Sequence, residues 1–294
     1  MARAPKILPG PAKTKGFVKA AKGVYVYVGG NGATNFGLII TNDQPVIVDN
    51  DIRVRREFLA GARKLARKPV GLVLNTHHNF DHTSDNGYYH EKGAVSFGVD
   101  LITQEMEREE KAGIWVKQMA GRGPDVTPFI GKLHIAPPQV TFEEMITIRY
   151  GGRTFQMIYI DHCHTLGDSV VWMPEERILF TGDLVDNRTL PVNRLGNFAN
   201  WIAAMDILDM FPAKRIIPGH GPLPGPGTTA IRENKDYLLR LRDRTRAALR
   251  KAKTPEKAAP LVLMPEYQRW YRYGNVGVNA LKMAQELKGK KSSK

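Results

Sequence analysis

Thr76-His77-His78-Asn79-Phe80-Asp81-His82 places three imidazoles and one carboxylate within six consecutive positions. The segment follows Val70–Leu74, a short apolar run with the pattern of a buried strand, so it reads as the loop at that strand's end. Taken alone it has an ordinary account, solvated loop polars with Asp81 capping a helix. Three further segments weigh against that account.

Asp161-His162-Cys163-His164-Thr165-Leu166-Gly167-Asp168 follows the strand-like run Thr154–Tyr159. Thr181-Gly182-Asp183 follows Ile178–Phe180, and Pro218-Gly219-His220-Gly221-Pro222 follows a short strand ending at Ile217. Individually, His164 reads as a core histidine, Asp183 as a turn or cap, and His220 as a loop residue. Together, four strand ends present His or Asp to what can be one cleft. Neutral imidazoles with carboxylates form the ligand set that zinc and similar divalent ions prefer.

The surrounding pattern alternates strands and helices. Val24–Val28 and Phe36–Val48 read as strands broken by Gly29-Gly30, Gly32 and Asn42-Asp43. Arg53–Ala66 spaces Phe58, Leu59, Ala62 and Leu65 as one helical face, giving a strand, helix, strand unit with Val70–Leu74. A helix over Leu101–Met119 and an irregular stretch, Gly121–Pro138, precede strands at Met145–Tyr150, Thr154–Tyr159, Ser169–Met173 and Ile178–Phe180. Gly151-Gly152 and Pro174-Glu175-Glu176 supply the hairpin turns. Trp201–Phe211 and Ala230–Lys251 read as helices.

In order and spacing, these motifs resemble the signature of the metallo-β-lactamase superfamily: T-H-x-H-x-D-H, then G/A-H-T, then G-D ending a strand, then G-H-G. The resemblance covers roughly residues 23 to 225. It implies an α/β fold, an αββα sandwich of two mixed sheets flanked by helices, with metal held at one edge. Matched position by position, it implies metal ligation by His77, Asn79, Asp81, His82, His164, Asp183 and His220. One site would use His77, position 79 and His164; the other would use Asp81, His82 and His220, with Asp183 bridging.

The sequence departs from the signature at position 79, where Asn replaces the second histidine, with His78 beside it. An amide oxygen is a poorer ligand than imidazole for a borderline-soft metal. Three outcomes follow for the first site: His78 swings in, Asn79 coordinates directly or through water, or only the second site fills tightly. The expected cofactor is one or two Zn²⁺ ions, with Fe or Mn as alternatives. The resemblance implies a hydrolase in which Asp81 ligates and also orients water or acts as base. Asp183, a carboxylate where other branches carry cysteine, is similar to the glyoxalase II, lactonase and subclass B3 lactamase branches. A small ester, thioester or lactone is the expected substrate, with β-lactams as a further candidate and a catalytically impaired relative as an alternative.

Charge divides the chain of 294 residues. Residues 1–22 hold six basic and no acidic groups, residues 231–294 hold 17 basic and six acidic, and the body between is net −3. The division expected is a basic arm over 1–22, the metallo-β-lactamase-like domain over 23–230, and a basic helical extension over 231–294. The excess suggests an alternative, a nuclease or nucleic-acid-binding protein of the same fold. Against it, Arg240, Arg242, Arg244, Arg246 and Arg250 follow several faces of one helix instead of lining one groove.

No apolar run reaches the ~20 residues needed to span a bilayer, and the first residues lack the apolar core of an export signal. The single cysteine, Cys163, excludes an intramolecular disulfide framework. Cytoplasmic location, a small-molecule substrate, no membrane partner and a homo-oligomer as an option are the resulting expectations. Tyr267, Trp270, Tyr271 and Tyr273 read as core packing, with a substrate lid or dimer contact as the alternative. Cys163 reads as a buried small residue facing away from His164. Thr165 and Asp168 read as turn or supporting residues. Trp115, Phe129 and Ile130 are candidate pocket walls.

Overall fold

The structure, a computed structural model, describes residues 5–12, 14–115, 117 and 135–292. Its strands form two mixed sheets. The first runs in chain order: β1 (Gly16–Ala21), β2 (Val24–Val28), β3 (Phe36–Ile39), β4 (Val46–Val48), β5 (Leu72–Leu74), β6 (Val95–Val99) and β7 (Val140–Phe142). The second comprises β8 (Met145–Tyr150), β9 (Arg153–Asp161), β10 (Asp168–Met173), β11 (Ile178–Phe180) and β12 (Arg215–Ile217), in the order β12-β11-β10-β9-β8.

Side-chain alternation explains why the sheets stack. Val24, Val26 and Val28 point into a core shared with Phe155, Met157, Val171, Met173 and Phe180 of the second sheet. The intervening Tyr27 points outward, beneath Phe58 and Ala62 of α1 (Arg55–Leu65). On the second sheet Val170 and Trp172 face outward against α5 (Phe198–Asp209), α6 (Thr229–Ala252) and α8 (Asn275–Ser292). The central strands β2 and β10 are therefore apolar on both faces, as strands inside a layered sandwich must be. The result is helix, sheet, sheet, helix, the expected sandwich.

As expected, Asn42-Asp43 turns the chain within Phe36–Val48 and separates β3 from β4. Other elements differ from the expectation. Strands β6 and β7, too short or polar to stand out, are fixed by parallel pairing to the strands beside them. The expected helix at Leu101–Met119 runs from Asp100 to Lys111 as α4; its expected end at Met119, the stretch 118–134, Phe129 and Ile130 lie outside the described residues. Two short helices, α2 (Phe80–Thr83) and α3 (Asn86–Glu91), follow the histidine-rich loop. Within the expected arm, Gly16–Ala21 is edge strand β1, and Leu8 N–H donates to Glu266 O at 2.8 Å.

The C-terminal region packs on the second sheet through Leu238, Leu241, Ala280 and Met283, with the single-turn helix α7 (Pro255–Ala258) between α6 and α8. Tyr267 and Trp270 are buried in that core with rings 4.9 Å apart, Tyr267 ending a short 3-10 turn and not lying on a longer helix. Trp115 and Cys163 are likewise buried. No helix among the described residues is long and apolar enough to cross a membrane.

Candidate metal centre

The expected ligands arrive from different strand ends. His77 and Asn79 follow β5, Asp81 and His82 lie on α2, His164 lies in the loop between β9 and β10, Asp183 follows β11, and His220 follows β12. In both sheets these ends lie on one side, so separate loops converge on one point.

Asp183 is that point. Its carboxylate lies 3.1 Å from His82 Nε2, 3.2 Å from His220 Nε2, 3.4 Å from His164 Nε2 and 3.8 Å from His77 Nε2. Asp81 Oδ2 lies 3.8 Å from His220 Nε2 and accepts from Thr34 Oγ1 at 3.1 Å. All are buried. Two groups have ligand atoms close enough for one ion each: Asp81, His82 and His220, and His77, His82 and Asp183. Close backbone approach makes this packing feasible, since a β-carbon at Gly219 would collide with Asp183 Oδ1.

The rings are aimed by bonds at their other nitrogens. His82 Nδ1 donates to Asp49 Oδ2 at 2.8 Å, and His220 Nδ1 donates to Gly32 O at 3.0 Å, leaving both Nε2 atoms toward Asp183. Asp49 also accepts from Thr76 N–H and Thr76 Oγ1, each at 2.8 Å. Asp168 holds the next loop: its Oδ2 accepts the backbone N–H of Cys163, His164 and Thr165, and its Oδ1 accepts Thr165 Oγ1 at 2.6 Å. Thr165 and Asp168 are thus supports, while His162 turns away to Leu195 O. Asp49 escaped the sequence reading, although it ends strand β4 as the other acidic and imidazole residues end theirs.

Position 79 has a definite geometry. The Asn79 amide N–H donates to His164 Nε2 at 3.0 Å. His78 points to the opposite side, with Nε2 3.5 Å from Glu109 Oε1 on α4, and belongs to neither ligand group. Adjacent side chains of an extended segment diverge in this way.

The electrostatics suit a cation. Burial alone would lower the pKa of His82, but Asp183 and Asp49 outweigh it and hold the ring well above its usual range. Burial would raise Asp183; His220 and His82 outweigh it and hold that carboxyl well below the ordinary range. Burial, with His82 beside it, pushes His77 well down, and burial lowers His164. His77 Nε2 and Asp183 Oδ1 are buried without hydrogen-bond partners. Unpaired buried polar atoms are costly, and a metal ion would satisfy both. The residues fit the group the motif implies.

A cavity of about 190 Å³ opens beside the cluster. Asn79, Asp81 and His164 face it from the ligand side, Ile114, Val192 and Leu195 form apolar wall, and Arg108, Glu109 and Arg194 bring charge. Arg108 pairs with Glu105 at 2.6 Å, whereas exposed Arg194 makes no hydrogen bond or ion pair among the described residues. The loop carrying Val192, Arg194 and Leu195 is pinned by the C-terminal region. Asn279 Nδ2 donates to Pro191 O at 2.8 Å, Asn193 N–H donates to Asn279 Oδ1 at 2.9 Å, and Asn275 Nδ2 donates to Leu190 O at 2.9 Å.

The sequence model of the metallo-beta-lactamase superfamily matches residues 29–220, which include every residue of this cluster. The chain belongs to the metallo-β-lactamase superfamily. Among its relatives is the linear primary-alkylsulfatase of Pseudomonas sp. (strain ATCC 19151), 24% identical over 269 residues, 80% of this chain and 49% of that enzyme. This member of the superfamily thus spans about half the length of that relative. The metallo-beta-lactamase type 2 of Bacteroides fragilis is 24% identical over 230 residues, covering 73% of this chain and 82% of the enzyme. Among solved structures, the stereoselective inverting sec-alkylsulfatase Pisa1 from Pseudomonas sp. superposes with a TM-score of 0.72 at 16% identity, over 92% of this chain and 50% of that one. The chain thus has the superfamily's fold and a cluster of candidate metal-binding residues.

Proposed function

We propose that this protein is a metal-dependent hydrolase of a small, anionic ester, thioester or lactone, with zinc as the resident metal. The convergence of four Nε2 atoms on the buried Asp183 carboxylate carries the reading. Asp81, His82 and His220, with Asp183, hold one ion tightly; His77, His164 and Asn79 make a weaker second position, because an amide replaces an imidazole. When bound, a divalent ion supplies Lewis acidity and brings water ionisation toward pH ~7.

The chain's own groups do the remainder. Asp81, steadied by Thr34, orients water at the cavity floor and takes its proton. Arg194 at the rim attracts the anionic group of the substrate, and Val192, Leu195 and Ile114 receive its apolar part. A sulfate ester is the second reading, favoured by the alkylsulfatase relative and by Arg194, whose guanidinium has no acidic partner among the described residues. The nuclease alternative loses its support on α6, where Arg240 pairs with Asp236, Arg242 and Arg246 with Asp243, and Arg244 with Glu266.

Elemental analysis of the purified protein tests the metal reading. Roughly one ion per chain is expected, rising to about two in Asn79→His, where imidazole completes the second position. Two ions in the unaltered protein would make Asn79 a full ligand; none under any loading condition would sink the metallohydrolase. Turnover of matched carboxylic esters, thioesters, lactones, sulfate esters and β-lactams then ranks the substrate classes.

A further inference from the structure

At the other end of the seven-stranded sheet lies a second cavity, of about 340 Å³. Pro45 and Val70, which line it, precede β4 and β5, whereas the metal-ligand loop follows β5. The two cavities therefore sit at opposite ends of the same parallel strands. Leu38, Ala62 and Tyr89 supply an apolar floor and are buried. Arg63, Arg67 and Lys92 stand exposed around it.

Helix dipoles account for part of this charge, since Arg63 lies in the last turn of α1 and Lys92 ends α3. They do not account for Arg67 and Lys68, which lie beyond α1 in the connection to β5. Lys68 Nζ is fixed at the rim by donating to Asn42 O at 3.2 Å. Nor do they account for an open apolar hollow beneath the cations. Of the carboxylates on α1 and at the start of α3, Glu57 pairs with Lys15 and Tyr27, and Asp85 with Arg55. Arg63 and Arg67 have no acidic partner among the described residues. Tyr88 adds an aromatic wall whose face already attracts Arg55, 4.4 Å from its centroid.

We propose that this cavity binds a single-chain amphiphilic anion, its tail on the Leu38, Ala62 and Tyr89 floor and its carboxylate or sulfate among Arg63, Arg67 and Lys68. Apolar burial supplies affinity, and the cation rim supplies selectivity for a charged head. Such a ligand would occupy the enzyme together with substrate. The inference does not depend on the metal reading.

Isothermal titration of the full chain with octanoate, and with octan-1-ol as the uncharged control, tests it. Octanoate is expected to bind saturably and about tenfold more tightly than the alcohol. The double variant Arg63→Glu/Arg67→Glu should lose that preference, and Ala66→Trp, which fills the hollow, should lose binding of both. Arg194→Ala removes the anion-attracting group of the other cavity and should retain the preference for octanoate over octan-1-ol. Unaltered thermal unfolding and ester turnover in the rim variants show that the fold persists. Absence of saturable binding into the millimolar range, equal binding of alcohol and acid, or loss in Arg194→Ala but not in the rim variants would each overturn the proposal.

Discussion

The candidate metal centre and helix α6 both concentrate polar residues, and they treat them in opposite ways. Along α6 the charges are numerous and matched: Lys235 with Asp206, Arg240 with Asp236, Arg244 with Glu266. In the candidate metal centre the polar groups are buried; His77 Nε2 has no hydrogen-bond partner among the described residues, and Asp183 Oδ1 has only His82 Nε2 at 3.1 Å. A charge satisfied by its neighbour stabilises or solubilises. A buried polar atom left unpaired costs free energy, and the chain carries that cost where a ligand can relieve it. Chemistry is therefore expected at the sparse site and not on the arginine-rich helix.

The largest effect tests the sparse site. His220→Ala removes a proposed ligand whose Nδ1 is already fixed by Gly32 and whose Nε2 is 3.2 Å from Asp183. Turnover should fall by roughly 10³-fold or more, the scale expected when a catalytic ion is lost, and bound metal should fall with it. Retained turnover with metal gone would separate activity from this cluster altogether.

Much of this contrast was legible in the sequence. All seven expected ligand positions fall in motifs whose order and spacing already point to one cleft, and the strands before them are short apolar runs. What was not legible depends on distance along the chain. Asp49 matters because β4 pairs in parallel with β5, which brings its carboxylate to His82 and Thr76; nothing local in Val46–Val48 announces that. Asn279 is separated from Pro191 by 88 residues and reads as an ordinary polar residue until the fold places it under the cavity loop. Strands β6 and β7 exist through their partners more than through their own propensity.

A second test asks whether buried charge in the body is costly even when paired. Burial raises the Asp85 carboxyl to about 6 although Arg55 opposes the rise. The folded chain then binds a proton that the unfolded chain has released between the ordinary carboxyl range and pH 6. Stability from this group is full below that window and is lost as pH rises through it, by about 3 kcal/mol in all. Unfolding titrations from pH 4 to 7 should show the decline in the unaltered protein and a flatter profile in Asp85→Asn. An equal slope in both would assign the pH dependence elsewhere.

On α6 the expectation is smaller and purely structural. Arg244→Ala leaves Glu266, which is buried, with only Arg240 at 3.5 Å. The cost should be about 2 kcal/mol, read as a fall of roughly 5 °C in melting temperature. Ester turnover and metal content should not change. A loss of turnover without a loss of stability would make α6 part of the functional apparatus and erase the contrast.

Arg194 sharpens the comparison because it is exposed at the cavity beside the metal-ligand cluster and, among the described residues, has no acidic partner of the kind that Arg240 and Arg244 have on α6. An unpaired guanidinium at the rim attracts an anionic substrate before chemistry and does not touch the reacting bond. Arg194→Ala should therefore raise KM for an anionic ester about tenfold and leave kcat near its starting value, since what is lost is binding shared by ground and transition states. A neutral ester of the same size should be indifferent to the change. The difference between the two should shrink in high salt, because an exposed charge is screened. If both esters suffer alike, Arg194 shapes the loop held by Asn279 and is no recognition group, and the distinction between satisfied and unsatisfied charge fails at the one position where it was most exposed to test.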